Sequence, residues 1–350
     1  MKIIQNYSLS ELKEELNAYA SVKRFRAIQI YEFAYKYVPI GEMTNLPKEL
    51  RDTLSKDFTS IPVTILKDYK SKDGTIKFLF KLLDNNIVEG VLMQYKYGNT
   101  ICISTQVGCA MGCSFCASGL DGKIRSLTAG EMVGEVLAVN KYLGGSLKED
   151  RKITNIVLMG SGEPLDNYDN VVKFVKLISS TDGINISQRN ISLSTCGLPQ
   201  KIKQLADENL GITLTISLHA STDENRQKIM KIASVYSLAD LFESIYYYYK
   251  KTKRRVVFEY ILSKGNVSRL DAKRIASLTK GLSCHVNMIP INKTPSSPLS
   301  PASKEKIKEF FDTLKESNIS ATTRRTLGSD IEGACGQLRR KVLLENGEIK

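Results

Sequence analysis

The chain has 350 residues, of which 42% are hydrophobic, so it is long enough to bury a sizeable core. No stretch reaches the ~18–20 consecutive apolar residues of a membrane span, and the first residues lack the apolar segment of a secretory signal. Lys and Arg number 50 against 37 Asp and Glu, and this net charge of +13 favours a polyanionic partner, nucleic acid above all, over an ordinary solubility charge. We therefore expect a cytoplasmic protein without a membrane partner, in which the seven cysteines are reduced and bind metal or take part in catalysis.

The first part of the chain predicts a small α+β accessory domain over residues 1–95. Apolar residues recur at three- and four-residue intervals from Leu9, Arg24 and Pro47, which is the spacing of short amphipathic helices. The segment Lys72-Asp-Gly-Thr predicts a hairpin turn that leads into a strand. Because this part is basic in places, we expect it to contact RNA.

From about residue 98, β-rich runs alternate with amphipathic segments, which predicts parallel strands joined by helices. The predicted strands are Thr100–Thr105, Ile153–Met159, Asn190–Ser194, Ile212–Leu218, Val256–Leu262, His285–Ile291 and Ser320–Arg325. The predicted helices are Ala129–Tyr142, Asn170–Ile178, Leu198–Asn209, Leu238–Lys250, Ser268–Lys280 and Ser303–Glu316. About six such units are too few for the eight-unit barrel. We expect an α/β fold with a partial, open (β/α)6 barrel and active residues at the carboxyl ends of its strands.

One short run carries the strongest chemical signal, Cys109-Ala-Met-Gly-Cys113-Ser-Phe-Cys116, directly after the first of these strands. Three thiolates at this spacing suit a soft metal or an iron–sulfur cluster. A structural zinc site would need a fourth Cys or His in a nearby paired motif, and the remaining cysteines are scattered singly. Three unrelated thiols are the second alternative. The missing fourth ligand indicates a residue from elsewhere or a coordination position open for chemistry.

Polar residues at other strand ends extend this prediction. Met159-Gly-Ser-Gly-Glu163-Pro follows the second strand, where glycines permit close backbone approach and a carboxylate can accept from an ammonium group. Ser194, Ser217, His219 and Asn292 end later strands. Each is, taken alone, more often a satisfied polar group at a strand end, and only their shared placement favours a ligand site.

These motifs resemble the radical S-adenosylmethionine (SAM) superfamily, and nearly the whole chain resembles the RlmN family of dual-specificity RNA methyltransferases. The segments that carry the resemblance are Cys102-Ile-Ser-Thr-Gln-Val-Gly-Cys109 through Cys116-Ala-Ser, Met159-Gly-Ser-Gly-Glu-Pro-Leu, Ile191-Ser-Leu-Ser-Thr, Ile216-Ser-Leu-His-Ala, His285-Val-Asn-Met-Ile-Pro-Ile-Asn292, Ala334-Cys-Gly-Gln-Leu-Arg and Phe25-Arg-Ala-Ile-Gln. The departures are Ser161, Cys196 and the Lys231-Ile-Ala-Ser-Val-Tyr-Ser stretch, which affect local substrate contacts rather than the chemistry.

The resemblance implies a radical SAM barrel over residues 96–328 and a C-terminal segment, residues 329–350, that carries the methyl. By resemblance, Cys109, Cys113 and Cys116 hold one [4Fe-4S] cluster whose open iron binds SAM. The implied SAM contacts are Gly162, Glu163, Ser194, Ser217, Leu218, His219 and Asn292. Cys335 is implied as the cysteine that is itself methylated, Cys102 as the thiol that forms a transient disulfide with it, and Glu89 as the proton acceptor.

The implied reaction methylates C2 of an adenosine in 23S rRNA and of the adenosine 3′ of the anticodon, position 37, in some tRNAs, and consumes two SAM per turnover. Carbon 2 lies between two ring nitrogens and is no nucleophile, so a radical route is needed. The implied partners also include an external electron donor of flavodoxin or ferredoxin type and a thiol reductant that resets the disulfide. The target base must be unstacked to reach the site.

Two alternatives for the function stay open at this point, and so does the role of one further stretch of the chain. The nearest alternative is the sister enzyme type that methylates adenine C8 of 23S rRNA and confers antibiotic resistance. The other is a non-enzymatic zinc or iron–sulfur RNA-binding protein. The Tyr246–Arg255 stretch mixes aromatic and basic residues, which suits base stacking, but a helix with inward tyrosines followed by a basic loop is favoured.

Overall fold

The computed structural model describes residues 1–19, 24–292, 297 and 299–338. The strands of these residues are β1 (Lys2–Ile3), β2 (Phe58–Thr59), β3 (Val63–Lys70), β4 (Ile76–Leu82), β5 (Ile87–Tyr95), β6 (Gly98–Ile103), β7 (Gln106–Gly108), β8 (Lys123–Ser126), β9 (Ile153–Leu158), β10 (Ile191–Thr195), β11 (Thr213–Ser217), β12 (Val256–Leu262), β13 (Cys284–Pro290) and β14 (Ser320–Thr323). The α-helices are α1 (Leu9–Leu16), α2 (Arg24–Tyr35), α3 (Lys48–Asp57), α4 (Ala129–Tyr142), α5 (Tyr168–Ser179), α6 (Pro199–Asp207), α7 (Asp223–Ile229), α8 (Leu238–Thr252), α9 (Arg269–Leu278) and α10 (Lys304–Glu316). Within these described ranges, no helix is long and apolar enough to cross a lipid bilayer.

A ten-stranded sheet organises the molecule, in the order β14-β13-β12-β11-β10-β9-β6-β5-β4-β3. Its strands from β14 to β6 pair in parallel, and β5, β4 and β3 continue the same sheet in antiparallel fashion. Helices connect the parallel strands, because parallel neighbours need a crossover. The α/β fold with a partial, open barrel is therefore confirmed.

The sheet curves strongly enough to bring distant strands together. The guanidinium of Arg324, just after β14, lies 3.9 Å from the sulfur of Met159, just after β9. Four strands lie between β14 and β9 in the sheet. Both residues stand at carboxyl ends of parallel strands, so the curvature gathers the strand ends around one opening.

The N-terminal part is continuous with the barrel, because it shares the central sheet and contacts helix α4. Backbone of β6 bonds to β5, so the sheet runs without interruption across residue 95. On the helical side, the amide of Gly130 in α4 donates to the side chain of Asn6 at 2.6 Å. The division of the chain at residues 95 and 328 stays a prediction.

The segment after β14 returns to the N-terminal hairpin. The carboxylate of Asp73 accepts a 2.8 Å hydrogen bond from the backbone of Gly328. The carboxylate of Asp330 accepts from Ser71 and Lys72. These bonds fix the start of the segment that contains Cys335. The remainder of the predicted C-terminal part, residues 339–350, lies outside the described residues.

The tyrosines of α8 belong to the fold. Tyr248 is buried, and the hydroxyl of Tyr246 donates to two backbone carbonyls, those of Leu278 and Lys280. The hydroxyl of Tyr247 donates to Asp207 at 3.0 Å. Because the hydroxyls of Tyr246 and Tyr247 have internal partners and Tyr248 is buried, the helix interpretation of this stretch is favoured over base stacking.

Candidate active site

The three cysteines of the motif lie on one loop after β7 and line one cavity, which we call the cysteine-loop compartment. The loop closes on itself through a bond from the Cys116 amide to the Cys113 carbonyl at 3.1 Å, and it is tied to α7 through Ser114 and Ile229 at 3.0 Å. The empty space inside the compartment is about 910 Å³, part of which is open to solvent.

Without a bound cation, burial and mutual repulsion disfavour the ionised form of Cys109 and Cys113. Burial raises the pKa of Cys109 to about 12, and the nearby charge of Cys116 adds to the rise. Burial also raises the pKa of Cys113, with the charges of Cys116 and Cys109 contributing. Three mutually repelling, part-buried thiolates need cations among them, and iron would provide these. The donor set therefore fits an iron–sulfur cluster.

The arrangement differs from a site for one ion. Within the described part of the chain, no three His, Cys, Asp or Glu side chains are grouped so that they could hold a single metal ion. A cubane cluster has another requirement, because each thiolate binds a separate iron atom.

Glu163 is held at the rim of the same cavity. It follows Gly162, whose φ of +108° and contact with Gln106 leave no space for a side chain. The carboxylate accepts hydrogen bonds from the backbone of Cys196 at 2.7 Å and of Leu165 at 3.0 Å. Burial raises its pKa, and these hydrogen bonds oppose the rise. An orientated carboxylate remains able to accept from a ligand cation.

The strand-end residues predicted as SAM contacts mostly line this cavity. Ser194, Ser217, His219 and Asn292 do so together with Gly162 and Glu163. Leu218 does not: its side chain is fully buried in the main core, and its backbone is bonded to Glu259 and Arg226. Its predicted role as a contact stays untested.

His219 is a buried neutral base with an available ring nitrogen. Its φ is +57°, and its Nδ1 has no hydrogen-bond partner. Burial lowers its pKa to about 3, and the charge of Arg226 contributes. The ring meets the edge of Phe115 at a centroid distance of 4.9 Å. An unpartnered polar atom that faces a cavity is what a ligand site requires.

The Arg226 side chain binds the backbone that follows two of these strands, β10 and β11. It is fully buried and donates to the carbonyls of Leu218 at 3.2 Å and Cys196 at 2.5 Å. No carboxylate within the described ranges forms an ion pair with it. The guanidinium thus orders the loops after β10 and β11 beneath the cavity.

A second cavity, the Cys335 compartment, adjoins the first. It is lined by Cys335 and Cys102, and it shares Cys116, Met159 and Asn292 with the cysteine-loop compartment, together with Cys335 itself. The structure therefore brings the predicted carrier thiol and its partner thiol together beside the cysteine loop, although the two are 233 residues apart by their numbers in the sequence. All seven cysteines are free thiols.

Glu89 lies next to this compartment rather than in it. It lines a smaller cavity whose wall, Ser118 and Leu338, is shared with the Cys335 compartment. The carboxylate pairs with Lys77 at 3.5 Å, and both side chains are buried. The Ser118 hydroxyl donates to the Leu338 carbonyl at 2.9 Å, which closes the wall.

Sequence reasoning missed two charged residues of the site. Glu259 lies inside the apolar run of β12 and is buried, and Arg324 pairs with it at 3.3 Å. A lone acid in an otherwise apolar strand was a usable signal, because buried charges are paired or functional. Arg324 gave no such signal, since it follows a short polar strand.

Comparison with known proteins assigns the class of protein to which this fold and site belong. Residues 103–268 match the Radical SAM superfamily, and the chain belongs to it; this membership implies a [4Fe-4S] cluster and SAM. A solved radical SAM methyltransferase from Sphaerobacter thermophilus is 41% identical, covers 97% of this chain and 100% of its own, and superposes with a TM-score of 0.92.

Sequence relatives narrow the class. A protein of Clostridium novyi named "Probable dual-specificity RNA methyltransferase RlmN" is 47% identical over 99% of this chain and 100% of its own length. A protein of the same name from Clostridium tetani is 50% identical over 93% of each chain. The chain belongs to the RlmN family of dual-specificity RNA methyltransferases.

Proposed function

We propose that this enzyme methylates C2 of one adenosine in 23S rRNA and of adenosine 37 in a subset of tRNAs. The observation that carries the proposal is the placement of Cys335 and Cys102 in one cavity with Cys116 of the cysteine loop. A resolving thiol must reach the sulfur of the methyl carrier, and the carrier must adjoin the site where SAM is activated. The net charge of +13 suits either RNA.

Cys109, Cys113 and Cys116 would hold the one [4Fe-4S] cluster. When bound, the cluster supplies the electron that cleaves SAM reductively and a free iron position for SAM. Glu163 and the strand-end residues Ser194, Ser217, His219 and Asn292 would surround SAM in the cysteine-loop compartment. Leu218, whose side chain lies in the core, would contribute only by positioning its neighbours Ser217 and His219.

The methyl group would pass through Cys335. Its thiolate would accept a methyl group from one SAM and become a thioether, with S-adenosylhomocysteine as the leaving group. Reductive cleavage of a second SAM would supply the hydrogen-atom abstraction that lets this carbon bond to C2 of the adenine, and the adduct would give up one electron to the oxidised cluster. The Cys102 thiolate would then attack the Cys335 sulfur, so that an S–S bond forms, the S–C bond to the base breaks, and the released carbon takes up a proton to become the new methyl group. Glu89 would accept the C2 proton, and Leu338 would have to leave the wall between Glu89 and the base. An external thiol reductant resets the disulfide, and a flavodoxin or ferredoxin type donor serves the cluster. The cytoplasm offers both RNAs and both reductants.

The experiment is methylation by the anaerobically reconstituted protein. It is incubated with SAM, a reductant and either an adenosine-containing 23S rRNA fragment or an anticodon stem-loop, and the nucleosides are separated by liquid chromatography with mass spectrometry. We expect 2-methyladenosine from wild type and from the control Cys284→Ala, and none from Cys335→Ala. Cys102→Ala should accumulate RNA covalently linked to the protein.

Each alternative predicts a different outcome. Methylation at C8 would identify the sister enzyme type, against the names of the relatives. Zinc without sulfide, with no 5′-deoxyadenosine formed from SAM, would identify a non-enzymatic RNA-binding protein. Transfer of methyl to RNA by Cys335→Ala would exclude the carrier role of Cys335.

A further inference from the structure

One cationic side chain, that of Arg324, contacts the sulfur of Cys335. Arg324 follows β14, and its backbone amide donates to the Met288 carbonyl at 2.8 Å, which continues the pairing with β13. Its side chain is 25% exposed. The Nη1 atom lies 3.9 Å from the Cys335 sulfur.

A buried carboxylate holds this guanidinium in place. Oε1 of Glu259 lies 3.3 Å from Nη1 of Arg324, and the Glu259 side chain is only 6% exposed. The other oxygen, Oε2, accepts from the hydroxyl of Ser194 at 3.3 Å. Ser194 lines the cysteine-loop compartment. A continuous polar chain therefore joins the sulfur of Cys335 to the wall of the compartment proposed for SAM.

The chemistry of the two sulfur states makes this contact selective. A guanidinium stays charged at every relevant pH and donates strongly to an anion. A thiolate is such an anion, whereas a thioether is a weak neutral acceptor. Burial raises the pKa of Cys335 and the charge of Arg324 opposes that rise, so the guanidinium favours the thiolate over the thiol and contacts the methylated sulfur only weakly.

We infer that Arg324 is a positioning residue that holds the Cys335 sulfur as an anion for methyl transfer and releases it once it is methylated. Glu259 fixes the guanidinium, so that its position does not depend on the sulfur. The inference rests on the proposed carrier role of Cys335, and it adds the residue that prepares that carrier.

Alkylation of the metal-free protein tests the contact without the loaded enzyme. Under anaerobic conditions at one fixed pH, iodoacetamide is added and the Cys335 peptide is followed by mass spectrometry. We expect Arg324→Gln to slow alkylation of Cys335 by about tenfold or more. Arg324→Lys should recover most of the rate because it keeps the charge. The exposed control Arg269→Gln should match wild type.

A second variant guards against misfolding. Arg324→Gln leaves Glu259 buried without its partner, which destabilises proteins. The double variant Arg324→Gln/Glu259→Gln removes both charges, and it should fold and still alkylate slowly. A wild-type rate in either folded variant, or an Arg324→Lys rate as low as that of Arg324→Gln, would overturn the inference.

Methyl transfer separates this inference from the proposed function. After incubation of the reconstituted protein with SAM, the Cys335 peptide should carry at least tenfold less methyl in Arg324→Gln than in wild type. If alkylation slows in Arg324→Gln while Cys335→Ala still methylates RNA, the contact stands and the carrier role fails. If alkylation is unchanged while Cys335→Ala is inactive, the carrier role stands and the contact fails.

Discussion

The side-chain amide of Asn292 donates a 3.0 Å hydrogen bond to the backbone carbonyl of Cys335. Asn292 follows β13, and Cys335 belongs to the segment that crosses the barrel opening. A residue expected to contact SAM thus also fixes the backbone of the proposed methyl carrier.

Removal of this amide should loosen the carrier segment. In Asn292→Ala without any cofactor, we expect amide exchange over residues 333–338 to quicken by about fivefold, the effect of losing one hydrogen bond. Hydrogen exchange with mass spectrometry measures it. The control is Asn225→Ala, whose side-chain oxygen accepts a hydrogen bond from Lys228. Unchanged exchange in Asn292→Ala would mean that the bond does not restrain the segment.

The Asp73 anchor predicts a pH dependence. Partial desolvation would raise the pKa of Asp73, but hydrogen bonds from Gly328, Thr75 and Ser71 lower it to about 2 from 3.8. Since the pKa is lower in the folded state, the stabilisation is present above about pH 3.8 and is lost as the pH falls toward 2. We expect Asp73→Asn to lower the Tm at pH 7, and the difference from wild type to vanish as the pH approaches 2.

The matched control for that experiment is Asp312→Asn, which removes an exposed helical pair with Lys308. Its Tm should follow wild type at neutral pH within the small effect of surface pairs. A Tm difference for Asp73→Asn that persists unchanged at low pH would show that the carboxylate charge is not its source.

The cysteine loop predicts a sharp division among the seven cysteines. Alanine at Cys109, Cys113 or Cys116 should reduce iron and sulfide after anaerobic reconstitution from about four of each per chain to below one. Cys284→Ala should retain the full content, because Cys284 lies at the start of β13 away from the loop. Elemental analysis and the visible absorption of the cluster report the result, and full content in all three loop variants would exclude the loop as its ligand.

The buried pair of Lys77 and Glu89 predicts a double-mutant result. Lys77→Met leaves the Glu89 carboxylate without its cation and should lower the free energy of unfolding by about 3 kcal/mol. Lys77→Met/Glu89→Gln should be more stable than Lys77→Met, because the second change removes the buried charge. Urea denaturation gives both values. Equal stability of the two variants would show that the pair contributes little.

The sequence predicted the parts of the fold that have a clear period. The apolar run of β12 has the predicted bounds, Val256–Leu262, and α4 begins and ends as expected. Helix α7 was missed, because it is short and its first residues, Asp223 and Glu224, are polar. Its Arg226 is fully buried, and that follows only from where the helix packs.

The same limit applies to the site. The spacing of Cys109, Cys113 and Cys116 identifies the loop from local sequence alone. The contact between Arg324 and Cys335 depends on how far the sheet curves, which no local pattern encodes. The burial of Glu259 and its pairing with Arg324 are tertiary properties, so neither side chain could be assigned before the strands were placed.

The unbroken hydrogen bonding between β5 and β6 limits how this protein can be truncated or recombined with homologues. A barrel cut free at residue 96 would present the backbone of β6 as a bare edge, and such edges recruit other strands and aggregate. Exchange of the N-terminal portion between homologues must therefore preserve the pairing of Val91 with Cys102. The N-terminal strands and the barrel therefore have to be expressed and exchanged with their shared sheet intact.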